Sequence, residues 1–307
     1  MTLRSLKAQY LSGELSKPDY IAQMYSVHES LFDYADLLRE TDIREITIVD
    51  GEVLATTRQD GLRIVLNRED RRATAVEILN FGSFEGPEMD LLTSVLTDAK
   101  HMLDIGANMG WVSLTLGKRL PDLQIAAFEP IPSTFELLVR NLALNGVTRV
   151  TPNNLGMSNK PGTAEIYFSA AGTGNASLAN VGARADVAPV TCTFTTVDTH
   201  VGETKQPVDF IKIDVEGAEL LVIQGGMATI VDQLPILFIE LLRKWAAAFG
   251  YHPNEVVTIL TGMGYECYGI GKGAPELLTE ITGETQQTNF LFVHPQKHAD
   301  KLPLLKA

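Results

Sequence analysis

The residues most able to do chemistry sit at the ends of apolar runs. Leu103-Asp104-Ile105-Gly106-Ala107-Asn108-Met109-Gly110 leads from a short apolar strand into a helix opening at Trp111, and Phe128-Glu129-Pro130 closes the next apolar run. Gly106 permits a tight turn and close backbone approach, and Asn108 is among the few non-glycine residues that tolerate positive φ. Gly110 lets the helix pack on the sheet, and N–H groups at that helix start favour an anionic ligand group. Glu129 lies 19 residues beyond Gly110, where a carboxylate at a strand tip can accept both hydroxyls of a ribose. The plainer alternative is an ordinary turn capped by Asp104. The glycine spacing is G-x-x-x-G, so the dinucleotide fingerprint G-x-G-x-x-G is not met. A nicotinamide-dependent oxidoreductase on a Rossmann sheet is therefore the alternative, not the leading reading. After a third short strand, Asn154-Leu155-Gly156-Met157-Ser158 is placed either to border a base with apolar side chains or to form a surface turn.

A second group is Lys212-Ile213-Asp214-Val215-Glu216. On a strand, positions 212, 214 and 216 share a face. Three ionisable side chains on a buried strand are costly unless paired or open to a cleft. Asp214 and Glu216 are expected at the mouth of a site, because strand ends carry the ligand in such sheets. Lys212 reads equally as a site residue or as half of an internal Lys212–Asp214 pair. Glu240, inside the apolar strand Ile236–Leu241, is a further general-base candidate, with His252 behind it. Beside Pro253 at a helix start, His252 also reads as a cap.

These residues need a frame, and the hydropathy pattern supplies one. From about residue 86 the chain alternates apolar strands with helices: 101–105, 124–128, 149–152, 208–215, 236–241, 265–269 and 289–293 are read as strands. Near-continuous apolar strands separated by helices imply a parallel sheet covered on both faces, a doubly wound α/β domain. Ser133-x-x-Glu136 reads as a capping box, Gly146 as a left-handed C-cap, and 217–231 as a single helix. Residues 162–200 read as an inserted hairpin. Its Gly172-Thr173-Gly174-Asn175-Ala176-Ser177 tip could offer hydrogen bonds to a polar acceptor.

The first 80 residues are patterned differently. Pro18 opens a helix of about six turns with Ile21, Met24, Val27, Leu31, Tyr34 and Leu38 on one stripe. Three alternating strands then follow, punctuated by Asp50-Gly51 and Asp60-Gly61, signals of tight turns. The expected division is an accessory region over 1–80 and the main domain over 81–307.

Composition bounds the partners. The 307 residues carry a net charge of −13, which argues against nucleic acid and against a polybasic membrane surface. Cys192 and Cys267 lack metal-ligand spacing, so neither a disulfide scaffold nor a zinc ribbon is expected. With no apolar leader and no apolar run near 18 residues, a soluble cytoplasmic protein without a membrane span is expected.

Asp104-Ile-Gly-Ala-Asn-x-Gly110, Phe128-Glu129-Pro130 and Lys212-Ile-Asp214-Val-Glu216-Gly-Ala-Glu219 together resemble the FkbM family of S-adenosylmethionine-dependent methyltransferases, over roughly residues 80–295. The resemblance implies a class I methyltransferase fold and methyl transfer to an oxygen, commonly of a sugar or polyketide. It places the methionine moiety beside Gly106, Ala107, Asn108 and Gly110, with Asp104 ordering the loop. Glu129 and Pro130 would flank the ribose, and Leu155 and Gly156 the adenine, with Asp214 near the sulfonium. Asp214, Glu216, Lys212 and Glu240 become the catalytic candidates. Carboxylate oxygens of Asp214, Glu216 and Glu240 also suit a divalent cation such as magnesium. That option ranks below the metal-free one, since the adjacent Asp-Asn pair of metal-dependent O-methyltransferases is absent. The expected acceptor is a small molecule or glycan, with a homo-oligomer compatible. A non-catalytic scaffold would show erosion of the turn or of its acidic partner, and both are intact.

Overall fold

The computed structural model describes residues 2–168, 188–271 and 273–306. The chain begins with α1 (Leu3–Leu11), α2 (Lys17–His28) and α3 (Ser30–Leu37). Ser16 caps α2 by accepting from the Asp19 N–H, with Pro18 in the first turn. The expected six-turn helix is divided at Glu29, and among the described residues most of its apolar stripe is left uncovered. Neither α2 nor α3 has a buried residue, and Leu31 is 65% exposed.

Strands β1 (Ile43–Val49), β2 (Glu52–Thr57) and β3 (Arg63–Val65) form an antiparallel meander in that order. Asp50 and Gly51 both have positive φ, as a two-residue hairpin turn requires. Asp60-Gly61 lies instead within a longer connection. The meander joins the main core: Ile43, Ala55, Leu62 and Ile64 belong to one buried cluster with Leu114 and Leu138. The amides of Asn141 and Asn145 accept from the Val65 and Arg63 N–H groups. Helices α4 (Thr74–Phe81) and α5 (Gly86–Val95) then lead into the sheet; α4 was not anticipated from the sequence.

The remainder runs β4 (His101–Ile105), α6 (Trp111–Arg119), β5 (Gln124–Phe128), α7 (Pro132–Asn145), β6 (Val150–Asn153), β7 (Gly156–Met157), β8 (Gly162–Phe168), β9 (Ala188–Thr195), α8 (Val197–Thr204) and β10 (Phe210–Ile213). It continues with α9 (Glu219–Gly225), α10 (Met227–Gln233), β11 (Ile236–Glu240), α11 (Arg243–Ala248), α12 (Pro253–Gly262), β12 (Glu266–Ile270), β13 (Glu276–Leu278), β14 (Asn289–Val293) and α13 (Leu302–Leu305). The large sheet has the order β13-β12-β14-β11-β10-β4-β5-β6. Strands β11, β10, β4, β5 and β6 are mutually parallel, and β14 pairs antiparallel with β11. This is the expected doubly wound, Rossmann-like sheet. Chain order reverses between β4 and β10, so a ligand crevice belongs at their carboxyl ends.

Several local expectations change. Pro132 occupies the first turn of α7 and Ile131 its N-cap without a side-chain bond, so Ser133 and Glu136 form no capping box. Gly146 does provide the left-handed cap. The 217–231 helix breaks at Gly226 into α9 and α10, and the 208–215 strand contracts to four residues. The insertion is a hairpin, with β8 and β9 antiparallel, but it ends at Thr195 and α8 follows. Its tip, residues 172–177, lies outside the described residues. No helix among the described residues is long and apolar enough to cross a membrane.

Candidate functional site

The glycine turn is built by the strands around it. At Gly106, φ is +77°, and a Cβ there would lie 1.8 Å from the Asp214 carbonyl oxygen. The close approach that needs glycine is thus to the neighbouring strand end. Gly110 (φ +96°) is backed by Leu138 of α7, at 2.6 Å from an added Cβ, so it serves helix packing on α7 more than on the sheet. Asn108 adopts φ +50°, as its type allows. The N–H groups of Gly106 and Ala107 donate to the Phe128 carbonyl and that of Gly110 to Ala107. Donors for an anion are therefore those of the first turn of α6, not those of the loop itself.

Glu129 joins two loops. Its carboxylate accepts from the Asn108 N–H at 3.0 Å and the Ile131 N–H at 2.9 Å. Burial pushes its pKa up to about 7, against the pull of those two donors. Each oxygen retains a lone pair for a further donor. The Asn154 amide donates to the Glu129 and Pro130 carbonyls, tying the 154–157 segment to the same corner.

Beneath the turn lies a buried charge cluster. Parallel register sets Lys212 beside Asp104. The Lys212 ammonium donates to the Gly106 carbonyl at 2.7 Å and lies 3.5 Å from both Asp104 and Asp214 carboxylates. Asp104 is fully buried and accepts from the Ser113 hydroxyl at 2.6 Å. Burial alone would lower the Lys212 pKa, but the Asp214 and Asp104 charges outweigh it and hold it above the usual ammonium range. Lys212 is thus more than half of a Lys212–Asp214 pair: it links two strand ends to the turn.

Asp214, Glu216 and Glu240 offer carboxylate oxygens that all lie within 4.8 Å of one another. Glu216 has φ +52°, a left-handed conformation that costs on the order of 1–3 kcal/mol outside glycine and clusters at functional sites. Behind this loop, buried Glu219 accepts from the Gly217 N–H and the Tyr251 hydroxyl, at 2.9 and 2.8 Å. Burial, then the Asp214 charge, pushes Glu216 up to about 9, with Arg72 opposing. Burial, with the Asp214 and Glu216 charges, pushes Glu240 up to about 10. Both therefore hold protons at neutral pH.

Those shifts fix a stability trend. An unfolded glutamate releases its proton near pH 4.3, whereas folded Glu216 and Glu240 keep theirs to about 9 and about 10. The folded chain binds more protons across that window, so the contribution is complete below the unfolded pKa and fades as pH rises to the folded values. Thermal denaturation should accordingly show Tm falling from pH 6 to 10, with a shallower fall in Glu240→Gln. Equal slopes would refute the assignment of that proton to Glu240.

A pocket at these strand ends is lined by Gly106, Asn108, Glu129, Pro130, Gly156, Asp214 and Glu216, seven of the residues singled out from sequence. Asp104, Ala107, Gly110 and Lys212 are buried beneath or behind it. Gly156 lines the wall and Leu155 does not. The Asn108 amide oxygen is buried without a hydrogen-bond partner among the described residues. The pocket's volume is about 100 Å³. His252 is the N-cap of α12, accepting from the Asn254 N–H, and stands apart from the pocket.

Three features were missed in the sequence. Ile166 and Phe194 of the hairpin line the pocket; the alternating apolar residues of those strands were the available signal. Glu85 adopts φ +48° just before α5. Burial and the Asp214 charge push it up to about 7. The Glu219–Tyr251 bond had no local signal, since its partners lie 32 positions apart.

The Methyltransferase FkbM domain model matches residues 104–267. "Methyltransferase 1" of Beauveria bassiana is 28% identical over 146 residues, covering 42% of this chain and 59% of that protein. "Methyltransferase sdnD" of Sordaria araneosa is 29% identical over 153 residues, covering 40% and 59%. The chain thus spans about three-fifths of the length of the curated relatives it matches. The crystal structure of Methyltransferase FkbM from Methylobacillus flagellatus KT aligns with TM-score 0.40 at 16% identity, over 64% of this chain and 43% of that one. With the domain match running from the buried acid Asp104 to Cys267 on β12, more than half its length, this chain belongs to the FkbM family of methyltransferases.

Proposed function

We propose that the chain is an S-adenosylmethionine-dependent O-methyltransferase acting on a hydroxyl of a sugar, glycan or glycosylated metabolite, drawn from a cytoplasmic pool. Catalysis is assigned to residues 81–307 and an accessory role to residues 1–80. The observation that carries the reading is that Asp214, held by Lys212, lines the same pocket as Glu129 and Asn108. Glu129 would take the ribose hydroxyls with its remaining lone pairs, and the unpartnered Asn108 oxygen would accept from the cofactor. Donors in the first turn of α6 suit its carboxylate. Bound S-adenosylmethionine supplies an activated methyl group on a sulfonium.

The chain's own part is positioning and proton handling. Holding a hydroxyl in line with that methyl gives most of the acceleration. A sugar hydroxyl is a weak nucleophile, so a base adds to it. Glu216 and Glu240 hold protons at neutral pH, which leaves the Asp214 carboxylate to accept the hydroxyl proton. The three carboxylates would also suit a divalent cation, but the Lys212 ammonium already supplies a positive charge beside Asp214.

Two measurements test this reading. Titration with S-adenosylhomocysteine should show binding that Glu129→Ala weakens by about 10- to 100-fold, the loss of hydrogen bonds from a charged acceptor. Unchanged affinity would remove Glu129 from the cofactor site. Incubation with methyl-labelled cofactor and fractionated glycans should place the label on an oxygen; label on nitrogen or carbon would overturn the O-directed reading.

A further inference from the structure

The N-terminal helices present apolar surface that the described residues do not cover. Twelve of the sixteen large apolar side chains exposed among the described residues precede residue 82. Glu29, between α2 and α3, keeps helical φ and ψ of −55° and −34°, so the two helices form nearly one rod. Along it Tyr20, Met24, Val27, Leu31 and Tyr34 alternate steps of four and three residues, and the next position, Leu38, opens the turn after α3 and packs on the main core. That is the seam of a helix pair rather than the broader stripe of a helix laid on a core. The positions flanking this seam, Ile21, Gln23, His28, Ser30, Ala35 and Leu37, include no Asp, Glu, Lys or Arg. Charged residues Asp19, Glu29, Asp33, Asp36 and Arg39 fall on the outer face, together with exposed Tyr25 and Phe32.

We propose that this rod pairs antiparallel with the same rod of a second copy of the chain, crossing at Glu29. In that register Val27 faces the partner's Leu31 and Met24 its Tyr34, with Tyr20 beyond them at each end. Asp19 and Arg39 stay outside the contact, Arg39 pairing with Asp36 of its own chain at 3.2 Å. A parallel arrangement would instead bring Asp19, Glu29, Asp33 and Asp36 level with themselves. Helix α1 already lies along the Tyr20 end, with Tyr10 stacked on Tyr20 at 4.5 Å, so each end of the assembly gathers three helices, α1 and α2 of one copy and α3 of the other. The seam together with its flanking residues, Ile21, Gln23, His28, Ser30, Ala35 and Leu37, offers on the order of 800 Å² per copy, the share of one partner in a stable interface. A like-with-like, two-fold contact also closes on itself and leaves no open end.

Sedimentation equilibrium of the full chain should give twice its 33.5 kDa. Leu31→Glu with Tyr34→Glu should raise the dissociation constant about 30-fold or more, as expected for central interface residues. Ser26→Glu, an added charge on the outer face, should leave the dimer intact. All three positions are exposed, so folding is not at stake, and circular dichroism verifies it. A monomeric wild type, or a dimer indifferent to the seam charges, overturns the proposal. So does a monomer that co-sediments with phosphatidylcholine vesicles through Leu31, which would assign the face to a lipid surface.

Discussion

Asp214→Asn is expected to lower methyl-transfer turnover by about 10²- to 10⁴-fold, the range lost with a general base, while S-adenosylhomocysteine affinity changes little. The substitution keeps the side chain's shape, so the turn, the pocket wall and the Asp214 N–H bond to the Ile105 carbonyl at 3.1 Å persist. It removes the oxygen that pairs with Lys212 at 3.5 Å and the capacity to take a hydroxyl proton. Protonated Glu240 would still have a hydrogen-bond acceptor in the asparagine oxygen. Equal losses in turnover and cofactor affinity would recast Asp214 as a cofactor-holding residue. Loss of wild-type activity in EDTA, restored by magnesium, would instead assign Asp214, Glu216 and Glu240 to a cation.

The sheet was legible because its strands are buried on both faces, and such strands read as continuous apolar runs. Asp104, Lys212 and Asp214 stood out for the same reason: a charge inside an apolar run needs a partner or a cleft. Which partner was less legible. The sequence pointed to Lys212 with Asp214, but the parallel register of β10 on β4 adds Asp104, a pairing across 108 positions. Glu85 carried no signal beyond its Ser83-Phe84-Glu85-Gly86-Pro87 setting, because only the packing of α5 brings it to Asp214. The N-terminal stripe was legible as a stripe, but not the division of its helix at Glu29 nor what covers it: periodicity reports that a face needs cover, and the element that supplies it is a tertiary or quaternary matter. At Ser133 a local rule lost to a neighbour, since Pro132 lacks an N–H and fixes the first turn of α7 in its own way.

The other large effect expected is on stability. Lys212→Met should cost about 3–5 kcal/mol, because removing one member of a buried ion pair leaves the other charge uncompensated. Asp104 is 0% exposed, and Ser113 alone would remain to serve its carboxylate. The Gly106 carbonyl would also lose its donor at 2.7 Å. Urea denaturation reads this as a lower midpoint at an unchanged m-value. Adding Asp104→Asn should recover part of the loss, with a coupling of about 0.5–3 kcal/mol, since the second change removes the stranded charge. If Lys212→Met shifts the midpoint by less than the equivalent of about 1 kcal/mol, near the centre of ordinary substitutions, the cluster does not depend on this cation for folding. Activity lost in such a stable variant would then place the role of Lys212 in the reaction, through the orientation it gives Asp214. Both losses together, with the fold recovered and turnover still absent in the double variant, would mean that one ammonium serves both ends: it neutralises the buried acid beneath the turn and aims the carboxylate above it.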